Sequence, residues 1–398
     1  MLFSPRTIIS ALWLALFSCA SAQTAAPSQT LFDFGWQFTQ SGKTINVDLP
    51  HDWDIYWAPD PENGPTGTGG GWYPGGKGEY RKSFKTPEAD IVKLHFEGVY
   101  QKAEVFVNGQ KAGQHAYGYT PFTVDITSFL NKPALQDNEV VVKVDNSQQP
   151  NCRWYSGSGI YRHVWLQTMP AVHIKENGVY VTTPEVTAQK ATVMVEVTVR
   201  NDAATAQEAR VGVEGKQQKI SLQPGEEQTV EFSYVINNPH LWSPDNPYRY
   251  KAEVTVNGTL ASAVRFGVRS FSFDAEQGIV FNGKPLLING ACLHHDDGVL
   301  GAMAFDAAEF RKVRLMKQAG FNLIRTSHNP ASRAFIEACD SLGILVLLFD
   351  MYAAALGELI AFGKAFHLFK CRERQRIFAR VEKLYRGVVF ACRQYNLK

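Results

Sequence analysis

Cysteine is scarce in this chain and follows no pattern. Six cysteines are scattered over 398 residues, too irregularly for a disulfide framework or a zinc module. Most of the five beyond residue 22 (Cys152, Cys292, Cys339, Cys371 and Cys392) read as small buried hydrophobes. Charge is nearly balanced at +2, so no basic field is available to hold nucleic acid or an anionic membrane. No membrane span is expected. The apolar run Ile8–Phe17 falls short of the ~20 residues that a spanning helix needs. A phosphate-binding loop is also missing. Gly71-Trp-Tyr-Pro-Gly-Gly76-Lys77 comes close, but Gly78 stands where a Ser or Thr would hold magnesium, and no helix pattern follows. The glycine-rich stretch 63–78 therefore reads as a surface loop.

The chain opens with an export signal. Arg6 supplies a positive start, the apolar run follows, and Ala20-Ser21-Ala22 fits a small-residue cleavage site. A periplasmic or extracellular location is expected. Leu16-Phe-Ser-Cys19 loosely matches a lipidation box, which leaves anchoring at Cys19 as an alternative.

The next 250 or so residues read as all-β. Short β-branched and aromatic runs at Lys93–Phe96, Ala103–Val107, Phe122–Ile126 and Val140–Val144 predict a first sandwich, with Asn108-Gly109 as a hairpin turn. Residues 23–170 form this domain. Residues 171–269 alternate more cleanly, at Ala191–Val199, Val230–Tyr234 and Tyr250–Val256, with a second turn at Asn257-Gly258. About seven strands in about 100 residues is the size of an immunoglobulin-like sandwich. No cluster of titratable groups appears there, so this domain reads as a spacer.

From residue 270 to 398 the apolar period changes from two to 3.6. A lead-in hairpin is expected over Phe271–Leu287, turning at Asn282-Gly283, and a first barrel strand at Leu286–Asn289. Asp306 and Glu309 resemble a capping box. Phe310, Val313 and Met316 make one helical stripe, which Gly320 ends. Phe321–Thr326 predicts a second strand, and Ser327-His328-Asn329-Pro330 a polar turn with Pro330 at a first helical position. Phe335, Ile336, Cys339 and Leu342 recur at helical spacing before Gly343, and Ile344–Leu347 predicts a third strand. Strand–helix–strand order requires a parallel sheet. In parallel sheets, ligands gather past the C-terminal strand ends. The polar segments His294-His-Asp-Asp297 and Ser327–Pro330 lie there. A metal at the first is not expected, because its histidines are adjacent rather than four apart.

Asn322-Leu-Ile-Arg-Thr-Ser-His-Asn-Pro330, followed by Phe335-Ile336, Asp340 and Gly343, resembles the signature of glycoside hydrolase family 2. That family includes β-galactosidases, β-glucuronidases and β-mannosidases. Leu49-Pro-His-Asp-Trp53, Gly98–Gly109 and Asn151–Arg162 resemble its N-terminal sandwich. Pro239–Pro244 with Asn246-Pro-Tyr248 resembles its middle domain. The resemblance implies a jelly-roll-like sandwich, an immunoglobulin-like sandwich and a (β/α)8 TIM barrel, here incomplete. It implies a β-glycoside ligand, most nearly a β-galactoside, and no cofactor or metal.

The same resemblance assigns substrate-binding roles. Asn151 matches a residue that reaches across to the sugar, with Arg153 as second choice; the alternative is that both order a loop. His294 matches a pocket-lining residue, or else belongs to a plain polar loop. His328, with Asn329 beside it, matches a histidine that touches a sugar hydroxyl, or else fixes the turn.

The match is expected to stop at Leu348. From Phe271 only 128 residues remain, against ~250 for a whole barrel. The family's acidic pair after the third strand is absent: Leu348 runs into Phe349-Asp350-Met351. The tail 349–398 holds ten Lys/Arg and four Asp/Glu, a net +6. It offers two possible helices (Ala353–Ala365 and Arg372–Tyr385) and a possible fourth strand at Val388–Phe390. Asp350, Glu358, Glu373 and Glu382 are its acids, and none lies in a motif match. No catalytic carboxylate is therefore assigned, and this chain alone is expected not to hydrolyse glycosides. A non-catalytic carbohydrate-binding protein, or an inactive fragment of a glycosidase gene, is the rival reading.

Overall fold

The computed structural model describes residues 26–348. The export segment, the two tail helices and the fourth strand expected from sequence lie outside those residues.

The first sandwich faces a six-stranded sheet with a four-stranded one. The larger runs Lys43–Val47, Trp36–Gln40, Gly76–Lys85, Asp137–Asn146, Ala103–Val107 and Gln110–His115 in spatial order. The smaller runs Ser28–Leu31, Val164–Met169, Ile91–Phe96 and Phe122–Asp125. All the pairings are antiparallel. Period-two alternation explains the core. Val140, Val142 and Val144 point inward with Leu94, Phe96, Trp36 and Trp53, and each buried Val or Leu contributes roughly 1.5–3 kcal/mol. The Asn108-Gly109 turn has φ of +49° and +80°, which only such a pair adopts cheaply.

Glycine misleads the reading of residues 63–78. Gly67–Gly70 is one helical turn, and Gly76–Gly78 already belong to a strand. Gly78 is buried because its Cα lies against two rings: a Cβ there would come within 2.5 Å of Phe38 and 2.9 Å of Trp53. That close approach, not loop freedom, is the reason for glycine.

The second sandwich has seven strands. Val172–Val186, Lys190–Asn201 and Glu227–Asn237 form one sheet. Lys216–Leu222, Gln207–Val213, Tyr250–Val256 and Thr259–Phe266 form the other. Ala191, Val193, Val195, Val197 and Val199 alternate into the core without measurable exposure.

After the hairpin Phe271–Asp274 / Gly278–Phe281, three parallel strands follow: Gly290–Leu293, Leu323–Thr326 and Leu345–Leu348. Helices Asp306–Gln318 and Arg333–Leu342 cover one face through Val313, Phe335, Ala338 and Cys339, which meet Ile324 and Ile344. The first parallel strand starts at Gly290, not Leu286. Lys284–Pro285 still pairs with the hairpin, and Leu287 is 88% exposed despite its apolar neighbours.

The two helix starts also differ from the sequence reading. Asp306 is the first helical residue after a Phe305 cap that has no side-chain bond. Its carboxylate instead lies 3.2 Å from His163 Nε2 in the first sandwich. Pro330 is not the first helical residue either; Ser332 caps Arg333–Leu342, its hydroxyl accepting from the Phe335 N–H at 3.1 Å. Ser332→Ala should lower stability by about 1 kcal/mol. A urea midpoint unchanged by that substitution would show that the cap contributes nothing.

Helix Arg333–Leu342 is gripped from both sides. Arg333 donates to Glu97 of the first sandwich at 2.9 Å and lies over the Trp165 ring. Glu337 accepts from Arg249 and Arg265 of the second sandwich at 2.8 and 2.7 Å. The Trp242 indole donates to the Asp340 carbonyl at 2.8 Å.

Candidate sugar-binding site

Two parallel strands aim the central side chains. Leu293 and Thr326 are register partners at the C-terminal ends of neighbouring strands. His294 follows the first directly, and His328 lies two residues past the second. Their ring centroids are 5.7 Å apart. Trp154, from the first sandwich, completes the group at 5.8 Å from His294 and 5.3 Å from His328. Its indole N–H donates to the Tyr119 hydroxyl at 3.0 Å, which fixes the ring plane.

Charge around His328 is positive. Its pKa is lowered, by burial first and then by Arg325, His294 and Arg153. The ring is therefore neutral at pH 7 and can donate from one nitrogen and accept at the other. Arg153 is exposed and close enough to act on it electrostatically.

Asn329 is 6% exposed and points inward. Its carbonyl oxygen accepts from the Tyr117 hydroxyl at 3.3 Å, while its amide nitrogen has no protein partner. Asn151 is held within the sandwich: its oxygen accepts from Tyr100 at 3.1 Å and its nitrogen donates to Asn146 at 2.8 Å. Asn151 connects to the histidine pair through Tyr100, Tyr119 and Trp154.

Next to the site lies a cavity of about 20 Å³, room for a water molecule. His294, His295, Thr326 and Asn329 line it, and each carries a buried polar atom without a protein partner. Lys312 forms the floor. Its ammonium lies 3.1 Å from Asp297 and 3.4 Å from Glu309, and donates to the His295 carbonyl at 3.1 Å. Burial pushes the His295 imidazole down to about 3, so it stays neutral. Among the described residues no three His, Cys, Asp or Glu side chains gather as a metal site.

A pair of buried acids lies in the first sandwich, beside the segment that follows Trp154. Asp52 and Asp54 are 0% and 2% exposed. Asp52 accepts from the Ala302 and Ser158 N–H groups at 2.9 Å each and from the Tyr155 hydroxyl at 2.5 Å. Asp54 accepts from the Ser158 hydroxyl at 2.6 Å and the Gly75 N–H at 3.1 Å. Burial raises both pKa values, Asp54 to about 7 with the charge of Asp52 adding. This pair staples three segments together. All four carboxyl oxygens accept from the protein's own N–H and O–H groups, and both side chains are buried.

Sequence reasoning singled out neither Trp154, which sits beside both histidines, nor the Asp52–Asp54 pair. Trp154 lies inside the Asn151–Arg162 stretch, but an indole in a loop gives no sign of which rings it will meet. Chemically, the arrangement offers imidazoles, an indole, an amide and guanidinium groups. These recognise hydroxyls. Neither His294 nor His328 hydrogen-bonds a carboxylate among the described residues.

Three family descriptions match successive parts of the chain. "Glycosyl hydrolases family 2, sugar binding domain" matches residues 33–170, "Glycosyl hydrolases family 2" residues 172–269, and its "TIM barrel domain" residues 275–362. The last match runs past Leu348, beyond the end expected from the motif residues. β-Galactosidase BoGH2A of Bacteroides ovatus is 37% identical over 369 residues, which is 85% of this chain and 43% of that protein. A β-glucuronidase of Bacteroides fragilis is 29% identical over 364 residues, 84% of this chain and 51% of that one. A solved family 2 member from Bacteroides cellulosilyticus superposes with a TM-score of 0.73 at 36% identity, covering 81% of this chain and 46% of that one. The chain thus spans about half the length of these relatives or less. Three adjoining matches over the two sandwiches and the parallel unit place the chain in glycoside hydrolase family 2.

Proposed function

We propose that the described residues form the sugar-recognition wall of a family 2 glycosidase site. The ligand is a β-galactoside-like glycoside, and the parent reaction is retaining hydrolysis. The observation that carries this reading is the His294–His328–Trp154 group at the C-terminal ends of two parallel strands. An aromatic face with imidazoles beside it suits a pyranose, which presents apolar C–H faces and hydroxyl edges. Arg153 extends the polar rim, Asn329 lines the cavity behind the turn, and Asn151 orders the segment that carries Trp154. Export by residues 1–22 would bring the site to extracellular carbohydrate.

Retaining hydrolysis needs two carboxyl groups ~5–5.5 Å apart. The wall described here supplies recognition and leaves the acid and the nucleophile to residues outside it. The wall itself is built of imidazole, indole, amide and guanidinium groups with no carboxyl among them, so carbohydrate binding without turnover is the second reading. An assay of the purified chain on aryl β-glycosides, with azide or formate as a rescue control, separates the two.

The test of the pocket is calorimetric titration with methyl β-galactoside and methyl β-glucuronide. His328→Ala and His294→Ala should each weaken binding about tenfold, the scale of one or two lost hydrogen bonds. Binding unmoved by His328→Ala would overturn the assignment.

A further inference from the structure

Trp72 stands in a conformation that tryptophan avoids. Its φ is +58°, a region that costs a bulky residue roughly 1–3 kcal/mol. Glycine, which would sit there without strain, occupies Gly69, Gly70, Gly71, Gly75 and Gly76 around it. The backbone is nevertheless held firmly. The Trp72 N–H donates to the Gly67 carbonyl and its own carbonyl accepts from Asp60 N–H, both at 3.0 Å. The Tyr73 N–H donates to the Thr66 hydroxyl at 2.7 Å. The Asp60 carboxylate accepts from the Glu62 and Asn63 N–H groups at 3.1 Å each. A strained residue held by this many bonds to its own loop marks a position where the side chain matters.

The loop lies against the strip that carries the pocket's indole. A Cβ on Gly69 would stand 2.9 Å from the Arg153 backbone. The Tyr73 ring is 5.3 Å from Tyr155, edge to face. Trp154 lies between those two contacts and faces His294 and His328. Trp72 and Tyr73 are both partly exposed. Two partly exposed aromatic residues on a hydrogen-bonded loop thus stand beside the strip that carries Trp154.

We propose that Trp72 and Tyr73 form a second sugar subsite, which stacks on the ring joined to the one held at His294 and His328. The ligand is then an oligosaccharide of at least two β-linked rings rather than a simple glycoside. This inference rests on the sugar-binding reading of the histidine pocket. Stacking tolerates many sugars, because every pyranose has an apolar face, so the subsite selects for chain length more than for sugar identity.

The experiment titrates the full chain with one-ring probes (methyl β-galactoside and methyl β-glucuronide) and with β-linked disaccharides and tetrasaccharides of the same sugars. The disaccharides should bind at least fivefold tighter than the one-ring probes. Trp72→Gly keeps the backbone conformation and removes the ring, and Tyr73→Ala removes the other. Each should abolish most of that gain while leaving one-ring affinity within twofold, and Trp72→Gly should not lower the thermal midpoint. Disaccharides that bind no tighter than one ring, or a gain that survives both substitutions, would overturn the subsite. If no one-ring probe binds, or if its binding ignores His328→Ala, the pocket reading itself fails and this inference falls with it.

Discussion

Replacing Arg162 with alanine is expected to destabilise the protein by about 3–5 kcal/mol, the scale of breaking a buried charged network. Arg162 is 2% exposed, and its guanidinium is spent on backbone carbonyls. It donates to Glu97 at 3.3 Å and Tyr119 at 3.2 Å in the first sandwich, and to Pro330 at 2.8 Å in the turn that carries His328. It also lies 5.1 Å from the centre of the Tyr161 ring. Truncation leaves three carbonyls short of a donor and opens a cavity next to Tyr161. Arg162→Lys keeps the charge but cannot reach three carbonyls with one ammonium, so it should recover only part of the loss. The measurement is chemical denaturation of all three proteins, followed by tryptophan emission. A loss under 1 kcal/mol in the alanine variant would show that the guanidinium is replaceable by water.

The Asp52–Asp54 pair should make stability fall as pH rises. Asp54 titrates near 3.8 when unfolded and about 7 when folded. Between those values the folded state holds a proton that the unfolded state has released, so each step up in pH favours unfolding. The penalty is absent below pH 4, grows through pH 4–7 and is complete above. Three units correspond to about 4 kcal/mol, and sharing of the proton with Asp52 makes about 2–4 kcal/mol the expected size. Asp54→Asn keeps the shape and removes the ionisation. It should match the parent near pH 4 and exceed it by that amount at pH 8. Thermal midpoints taken across the range decide the matter. Parallel curves for parent and variant would mean that Asp54 ionises in the fold without cost.

The sandwiches were legible because alternation is a local property. Ala191–Val199 shows its buried face to anyone counting by two, and the Asn-Gly turns announce φ values that other residues resist. The parallel unit was legible for the same reason, through the helical stripe ending at Gly343. What failed to show was set by distant partners. Leu286-Leu287-Ile288 is apolar enough for a strand, yet its hydrogen-bonding neighbours start at Gly290. Asp306 has the chemistry of a helix cap and is drawn instead towards His163, which also meets the Asp33 carboxylate at 2.5 Å. Gly78 reads as a loop residue until Phe38 and Trp53 are in place. In the site, His294 and His328 followed from strand ends, whereas Trp154 depended on how one domain meets another.

That meeting has a consequence for inheritance. The helix Arg333–Leu342 takes its anchors from Glu97 and Trp165 on one side and from Arg249, Arg265 and Trp242 on the other. Those anchors belong to two different sandwiches, far apart along the chain. A recombination event that exchanged any one of the three units would leave arginines and carboxylates facing strangers. The sandwich read from sequence as a spacer is therefore not an interchangeable part. Exchanging one unit alone would cost the helix that follows the His328 turn part of its anchorage.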